Sequence, residues 1–477
     1  MIGGGLAGLA TAVALAPHGC QVTLVEARPR LGGRASSFTD ANTGQLIDAC
    51  QHVTMGCCTS FAHFCRTIGV EHFLEPQSRL YFMTPDRRVS RFAADPWPAP
   101  FHLGRALLSA HYLTPTEKLR IVYGLARMLM QPPDADPPLL DWLLNHGQTH
   151  RTIDRFWGVV LTSALNETID RVGLKYARKV FRDGFTRHRD GFTIFLPSVP
   201  LARLYGDELR AWLSSHGVTV QLGTAVKELV ADSTQKIAGV RLRDGSTLTA
   251  DAYVLAVPFD RVPDLLPSSI TNADTAFTRL QHLTPSPITS VHLWFDRPVM
   301  TLPHVVLVDC LGQWVFNRNQ TATGEFYIQV VVSAARPLRG LGRDEVERQI
   351  ANEIGQLFPT ARSAKLLRSK VVTELTATFS AVPGVDANRP SQSTSIENLY
   401  LAGDWTTTGW PATMEGAVRS GYLAAEAVLA KFGRPCPTTD IGEPGPQGPR
   451  VCENIAREPP TALAGSCKPR FECMCQS

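Results

Sequence analysis

Six residues at the start of the chain, Gly3-Gly4-Gly5-Leu6-Ala7-Gly8, put glycine at the three positions of a G-x-G-x-x-G turn and open into an apolar stretch with helical spacing. The first glycine permits a tight turn, the second lets backbone approach a pyrophosphate, and the third lets a helix pack closely on a strand. Glu26 closes the next strand-like segment 18 residues after Gly8 and is followed by Ala27 and Arg28. A carboxylate there accepts hydrogen bonds from both hydroxyls of an adenosine ribose and repels a 2'-phosphate. Alone, a glycine-rich turn or a strand-end glutamate is commonly structural. At this spacing the pair points to a bound dinucleotide.

A second loop, Arg30-Leu31-Gly32-Gly33-Arg34, follows at once and offers close backbone approach beside a permanently charged fork. A nicotinamide dehydrogenase has no need of it, so the dinucleotide expected is FAD. Near the other end, Leu399 to Ala402 reads as a buried strand running into Gly403 and Asp404, and a helix opens close to Thr413 and Met414. Asp404 can meet ribityl or phosphate-side groups, and the free N–H groups of a helix start favour the anionic edge of a reduced flavin. No second fingerprint occurs, because Gly340-Leu341-Gly342 lacks a third glycine. Electrons are therefore expected to pass to or from an external partner, a quinone or oxygen.

The elements that must position these residues follow from length and pattern. At 477 residues the chain suits two joined domains, and 47 basic against 43 acidic side chains give no electrostatic case for nucleic acid. The fold class expected is α/β: a discontinuous Rossmann-like FAD domain from residues 1–72, 206–262 and 395–432, with a mixed sheet-and-helix substrate domain from 73–205 and 263–394. Within the latter, Phe101 to Met130 reads as an inserted helical lid, and Thr289–Phe295, Glu325–Val332 and Ala364–Val372 as strands around a helix at Arg343–Leu357. Only Met1 and Ile2 precede the glycines, which predicts further strand residues upstream. Residues 433–477, rich in proline and glycine, are expected to be a disordered tail; it carries five of the eleven cysteines (Cys436, Cys452, Cys467, Cys473, Cys475). No metal site and no disulfide framework are expected.

Together these motifs resemble the amine oxidase and phytoene desaturase flavoprotein superfamily. They resemble more closely the squalene-associated FAD-dependent desaturases described as hydroxysqualene dehydroxylases of hopanoid pathways. The likeness covers most of residues 1–432 and includes Asp48 with Gln51-His52-Val53, Arg155-Phe156-Trp157, Asn166-Glu167 and Lys179 to Asp183. It implies an adenine contact through the backbone of Val226. It also implies reductive loss of hydroxyl from a long isoprenoid, with Glu167, His52 and Asp48 as candidate proton donors. A carotenoid-type desaturase using the same flavin and tunnel is the alternative, and a flavin-free prenyl-lipid escort a more distant one. Thr413 stands where amine oxidases commonly place a cage tyrosine, which argues against an amine substrate. Burying a C30 hydrocarbon is worth on the order of 20 kcal/mol, so the expected setting is cytoplasmic, peripheral to the inner face of a membrane.

Overall fold

The computed structural model describes residues 1–41, 43–321 and 324–434, so the expected cysteine-bearing tail lies, from residue 435, outside the described residues. Its amino-terminal turn enters the helix Leu6–Leu15, in which nine of the ten residues are buried. A helix apolar all round belongs inside a protein. This one packs between a parallel sheet and the carboxy-terminal helix Met414–Lys431. Gly421 makes that second contact possible, because a Cβ there would stand 2.3 Å from the Ala7 carbonyl oxygen.

The sheet is assembled from distant segments. Thr23–Glu26 pairs in parallel with Thr219–Leu222, and Tyr253–Leu255 with Leu399–Leu401. Ile2 joins the two pairs: its N–H donates to Val254 and its carbonyl accepts from Ala256, while Gly3 and Met1 exchange hydrogen bonds with Val25. Parallel strands buried on both faces read as continuous apolar runs, as Leu399-Tyr400-Leu401 does. A three-stranded antiparallel meander, Val226–Ala231, Ile237–Leu242 and Thr247–Leu248, leans beside it.

A second, seven-stranded sheet has the order Leu366–Phe379, Pro285–Phe295, Phe326–Val332, Trp314–Gln320, His304–Leu307, Arg79–Met83, Val89–Ala93. It is antiparallel except where Val306 and Leu307 pair in parallel with Phe82 and Met83. One face is covered by the helix Arg343–Leu357, whose Val346, Ile350, Ile354 and Leu357 meet Val291, Leu293, Ile328 and Val330. Residues one position along each strand, such as Ser290 and Val331, point to the opposite face and wall a cavity. The helices Gly104–Ser109 and Pro115–Leu129 close its far end.

Three histidines, His292 and His304 buried and His63 half-buried, are held neutral in this body. Burial lowers His63 and His304 to about 4 and His292 to about 3, from an ordinary 6.5. The unfolded chain then binds the extra protons, so their stabilising contribution is fully present above pH 6.5 and is lost as pH falls through those values. At pH 5 the loss is at most about 2 kcal/mol for each histidine. The urea midpoint is expected to fall between pH 7 and pH 5, and His304→Phe should weaken that dependence. An unchanged midpoint would show the three rings already protonated.

Candidate active site

One cavity of about 1360 Å³ runs from the glycine turn to the lid helices. Every cofactor residue expected from the sequence lies on its wall except Gly8. Gly8 instead serves packing, since a Cβ there would stand 2.1 Å from the Gly3 carbonyl oxygen. Gly3 turns the chain at φ +109°. Gly5 differs from both: an added Cβ would meet only the Gly33 Cα, at 3.8 Å, and would project into open cleft. That cradle fits a pyrophosphate.

Glu26 is held by two backbone donors, Gly4 N–H at 2.6 Å and Arg28 N–H at 2.8 Å. The carboxylate is thus locked beside the turn by the residues that frame it. Arg28 reaches the Gly33 carbonyl at 3.2 Å and closes the second glycine loop, where Gly32 and Gly33 have φ of +98° and +61°. Arg34 pairs with Asp404 at 2.6 Å and donates to the Ala377 carbonyl at 2.7 Å, joining the amino-terminal loop, the carboxy-terminal strand end and the large sheet. Burial works against its charge, but Asp404, Glu374 and Asp260 outweigh it and raise the guanidinium's pKa. Val226 lies on the wall at the start of the meander. Thr413 caps the carboxy-terminal helix by accepting from Gly416 N–H at 3.0 Å, and so aims the start of that helix at the cavity.

Two of the three candidate proton donors lie off the cavity wall. Glu167 is fully buried and absent from the cavity wall; Arg336 grips it at 2.8 Å, with further bonds from Ser380 and from Thr168 N–H. Burial favours its neutral form, yet those donors prevail and lower its pKa. Asp48 also lies off the wall, accepting from Ser37 at 2.6 Å and Leu201 N–H at 2.9 Å and pairing with Arg318 at 2.8 Å. Both carboxylates tie the sheet to its neighbours. Glu167→Gln is expected to lower unfolding free energy by about 2 kcal/mol, since it strands Arg336, and to leave turnover per folded flavin unchanged. A turnover loss without a stability loss would restore its catalytic role.

His52 does line the cavity. Its Nδ1 is 3.0 Å from the Cys50 carbonyl, which can only accept, so the ring proton sits on Nδ1 and Nε2 is the acceptor. Burial, ahead of all other causes, lowers its pKa. A neutral imidazole in this state takes a proton more readily than it gives one. Lys179 to Asp183, given from the sequence only as part of a family likeness, also reaches the wall: the Lys179 ammonium lies 4.0 Å over the Trp410 ring and pairs with Asp183 at 2.7 Å. The i, i+4 spacing of Lys179 and Asp183 was the available signal.

Beyond this end the wall is apolar, with Leu80, Phe82, Leu107, Leu125, Phe156 and Val331 among its residues. A dinucleotide cleft shared by the two chain ends, opening into an apolar chamber under a second sheet, defines an FAD-dependent oxidoreductase. The chain belongs to the flavin containing amine oxidoreductase family, whose model matches residues 6–429. It is 29% identical over 454 residues to a chloroplastic/chromoplastic 15-cis-phytoene desaturase of an Oncidium hybrid cultivar, covering 90% of this chain and 77% of that one. It is 25% identical to a zeta-carotene desaturase of Synechocystis, covering 91% and 97%. Among solved structures, an oxidoreductase from Methanosarcina mazei superposes with a TM-score of 0.69 at 17% identity, over 90% of this chain and 99% of that one. Cyclohexylamine oxidase from Brevibacterium oxydans gives 0.64 at 19%, over 91% and 98%.

Proposed function

We propose that this protein desaturates a long isoprenoid polyene of the carotenoid class. The observation that carries the proposal is the continuity of one cavity from the FAD cleft to an apolar chamber, with a neutral histidine on its wall. Forming a double bond removes a hydride and a proton from adjacent carbons. Bound FAD supplies the hydride acceptor. His52 takes the proton at Nε2, the apolar walls hold the chain in extended register, and the electrons leave to an external acceptor such as a quinone.

Reductive dehydroxylation of hydroxysqualene, the finer reading implied by the motif resemblance, needs a proton donor instead. Glu167 and Asp48 are occupied by arginines away from the wall, and His52 rests in its basic form. The named relatives are carotenoid desaturases, which supports the same preference. Holoenzyme incubated with phytoene in detergent and a quinone is expected to give products with longer conjugation. Unchanged phytoene, with squalene formed from hydroxysqualene by reduced enzyme, would reverse the assignment.

A further inference from the structure

Cys57 and Cys58 are neighbours in the chain, and both line the cavity. Both are free thiols, Cys57 buried and Cys58 half-buried. Backbone bonds fix the turn that presents them: Gly56 N–H donates to the Thr193 carbonyl at 2.8 Å, Cys58 N–H to the Met55 carbonyl at 2.9 Å, and Thr59 N–H to the Cys57 carbonyl at 3.1 Å. Cys57 also donates its S–H towards the Cys58 sulfur; that bond, then burial, then the nearby Cys58, Glu415 and Asp183 push the Cys57 thiol well above its ordinary pKa. Cys57 is thus the protonated member of the pair and Cys58 the accessible one. A metal is not what the pair holds, since no group of three His, Cys, Asp or Glu side chains able to bind one occurs among the described residues.

The contacts of the pair lead to the cofactor cleft. Cys58 is the cap residue of the helix Thr59–Thr67, and the N–H groups of Ser60 and Phe61 in its first turn donate to the Glu415 carboxylate at 3.0 and 2.8 Å. Glu415 in turn stands in the first turn of Met414–Lys431, the helix whose start faces the cavity. Adjacent Cα atoms lie about 3.8 Å apart, closer than the roughly 4.4–6.8 Å that a disulfide ordinarily spans. A bond between these two sulfurs therefore twists the peptide that joins them. The groups of that turn hold Met55 and Thr59, so the twist reaches the start of the helix and, through Ser60 and Phe61, Glu415.

We propose that Cys57 and Cys58 are a reversible thiol–disulfide site, oxidised by a low-molecular-weight disulfide of the glutathione class, and that closing the bond loosens the flavin. The Cys58 sulfur gives up its proton and attacks one sulfur of oxidised glutathione, expelling the other half as a thiolate, which takes that proton. The Cys57 sulfur then attacks Cys58 in the mixed disulfide, and its proton leaves with the second glutathione. Two electrons pass from the cysteines to glutathione, and the strained ring reopens with a dithiol. The site is independent of which isoprenoid the chamber takes.

The test incubates holoenzyme with oxidised glutathione, blocks the remaining thiols with N-ethylmaleimide on unfolding, and reads the peptides by mass. Cys57 and Cys58 are expected to be joined to each other and unblocked, and dithiothreitol should restore both. Cys57→Ser should stop half-way with one glutathione on Cys58, and Cys58→Ser should carry none. Oxidised wild type should bind FAD at least about tenfold more weakly than reduced wild type, the effect of disturbing one charge-assisted hydrogen bond. Each serine variant, compared with itself before oxidation, should show no such change. Phenylarsine oxide, which bridges two neighbouring thiols with loss of water, should label this pair in reduced wild type and not after oxidation, a reading that needs no variant to fold. Full maleimide labelling of both cysteines after glutathione treatment would overturn the proposal. So would a disulfide that joins either to Cys50 instead, or a Cys57–Cys58 bond that leaves FAD affinity unchanged.

Discussion

The Gly5→Ala protein is expected to fold and to lose its flavin, while Gly8→Ala fails at folding itself. Gly5 has extended backbone at φ −76° and ψ 175°, which alanine adopts freely, and its new methyl would touch only the Gly33 Cα at 3.8 Å. The methyl would fill the one surface of the turn left open for the pyrophosphate. Each charged hydrogen bond lost is worth about 1.5–3 kcal/mol, so FAD affinity should drop by roughly one to two orders of magnitude. At Gly8 the methyl would stand 2.1 Å from the Gly3 oxygen and 3.3 Å from the Ala256 Cβ, forcing the first helix off its sheet. Released flavin and the apo-protein melting temperature separate the two cases. A Gly5→Ala protein with full flavin content would show that the cofactor does not cross this turn.

His52→Gln should keep FAD and stability and lose turnover by about 10²- to 10⁴-fold, the usual contribution of a positioned acid or base. The pH profile carries the stronger test. A base must be unprotonated, and burial lowers the pKa of His52 below 6.5. Wild-type turnover should therefore be flat above pH 6.5 and fall on acidification through a value below that point; the limb should vanish in the variant. Retention of the limb would assign it to another group.

What the sequence disclosed and what it withheld divide by whether a local pattern marks the residue. The glycine turn, Glu26, the helix Arg343–Leu357 and the strand before Gly403 carry a spacing or periodicity of their own that displayed them, although the strand's partner, Tyr253–Leu255, lies far back in the chain. The ion pairs that hold Glu167 and Asp48 off the cavity wall could not be read, because Arg336 and Arg318 lie 169 and 270 residues further on. No local pattern separates a carboxylate facing a cavity from one gripped by a distant guanidinium. The strands Arg79–Met83 and Val89–Ala93 went unread although they form a local hairpin, and only the structure shows that Phe82 also gains a parallel partner at Val306. The lid was legible as helices, and the structure adds which of its residues, Leu119, Val122 and Tyr123 among them, are exposed.

The most direct test of the assignment is an anaerobic half-reaction followed by flavin absorbance. Oxidised holoenzyme mixed with phytoene in detergent, without any acceptor, is expected to bleach its flavin while forming one new double bond per flavin reduced. The contrary result would be oxidised enzyme left unbleached by the polyene, together with chemically reduced enzyme that returns to the oxidised spectrum on hydroxysqualene as squalene appears.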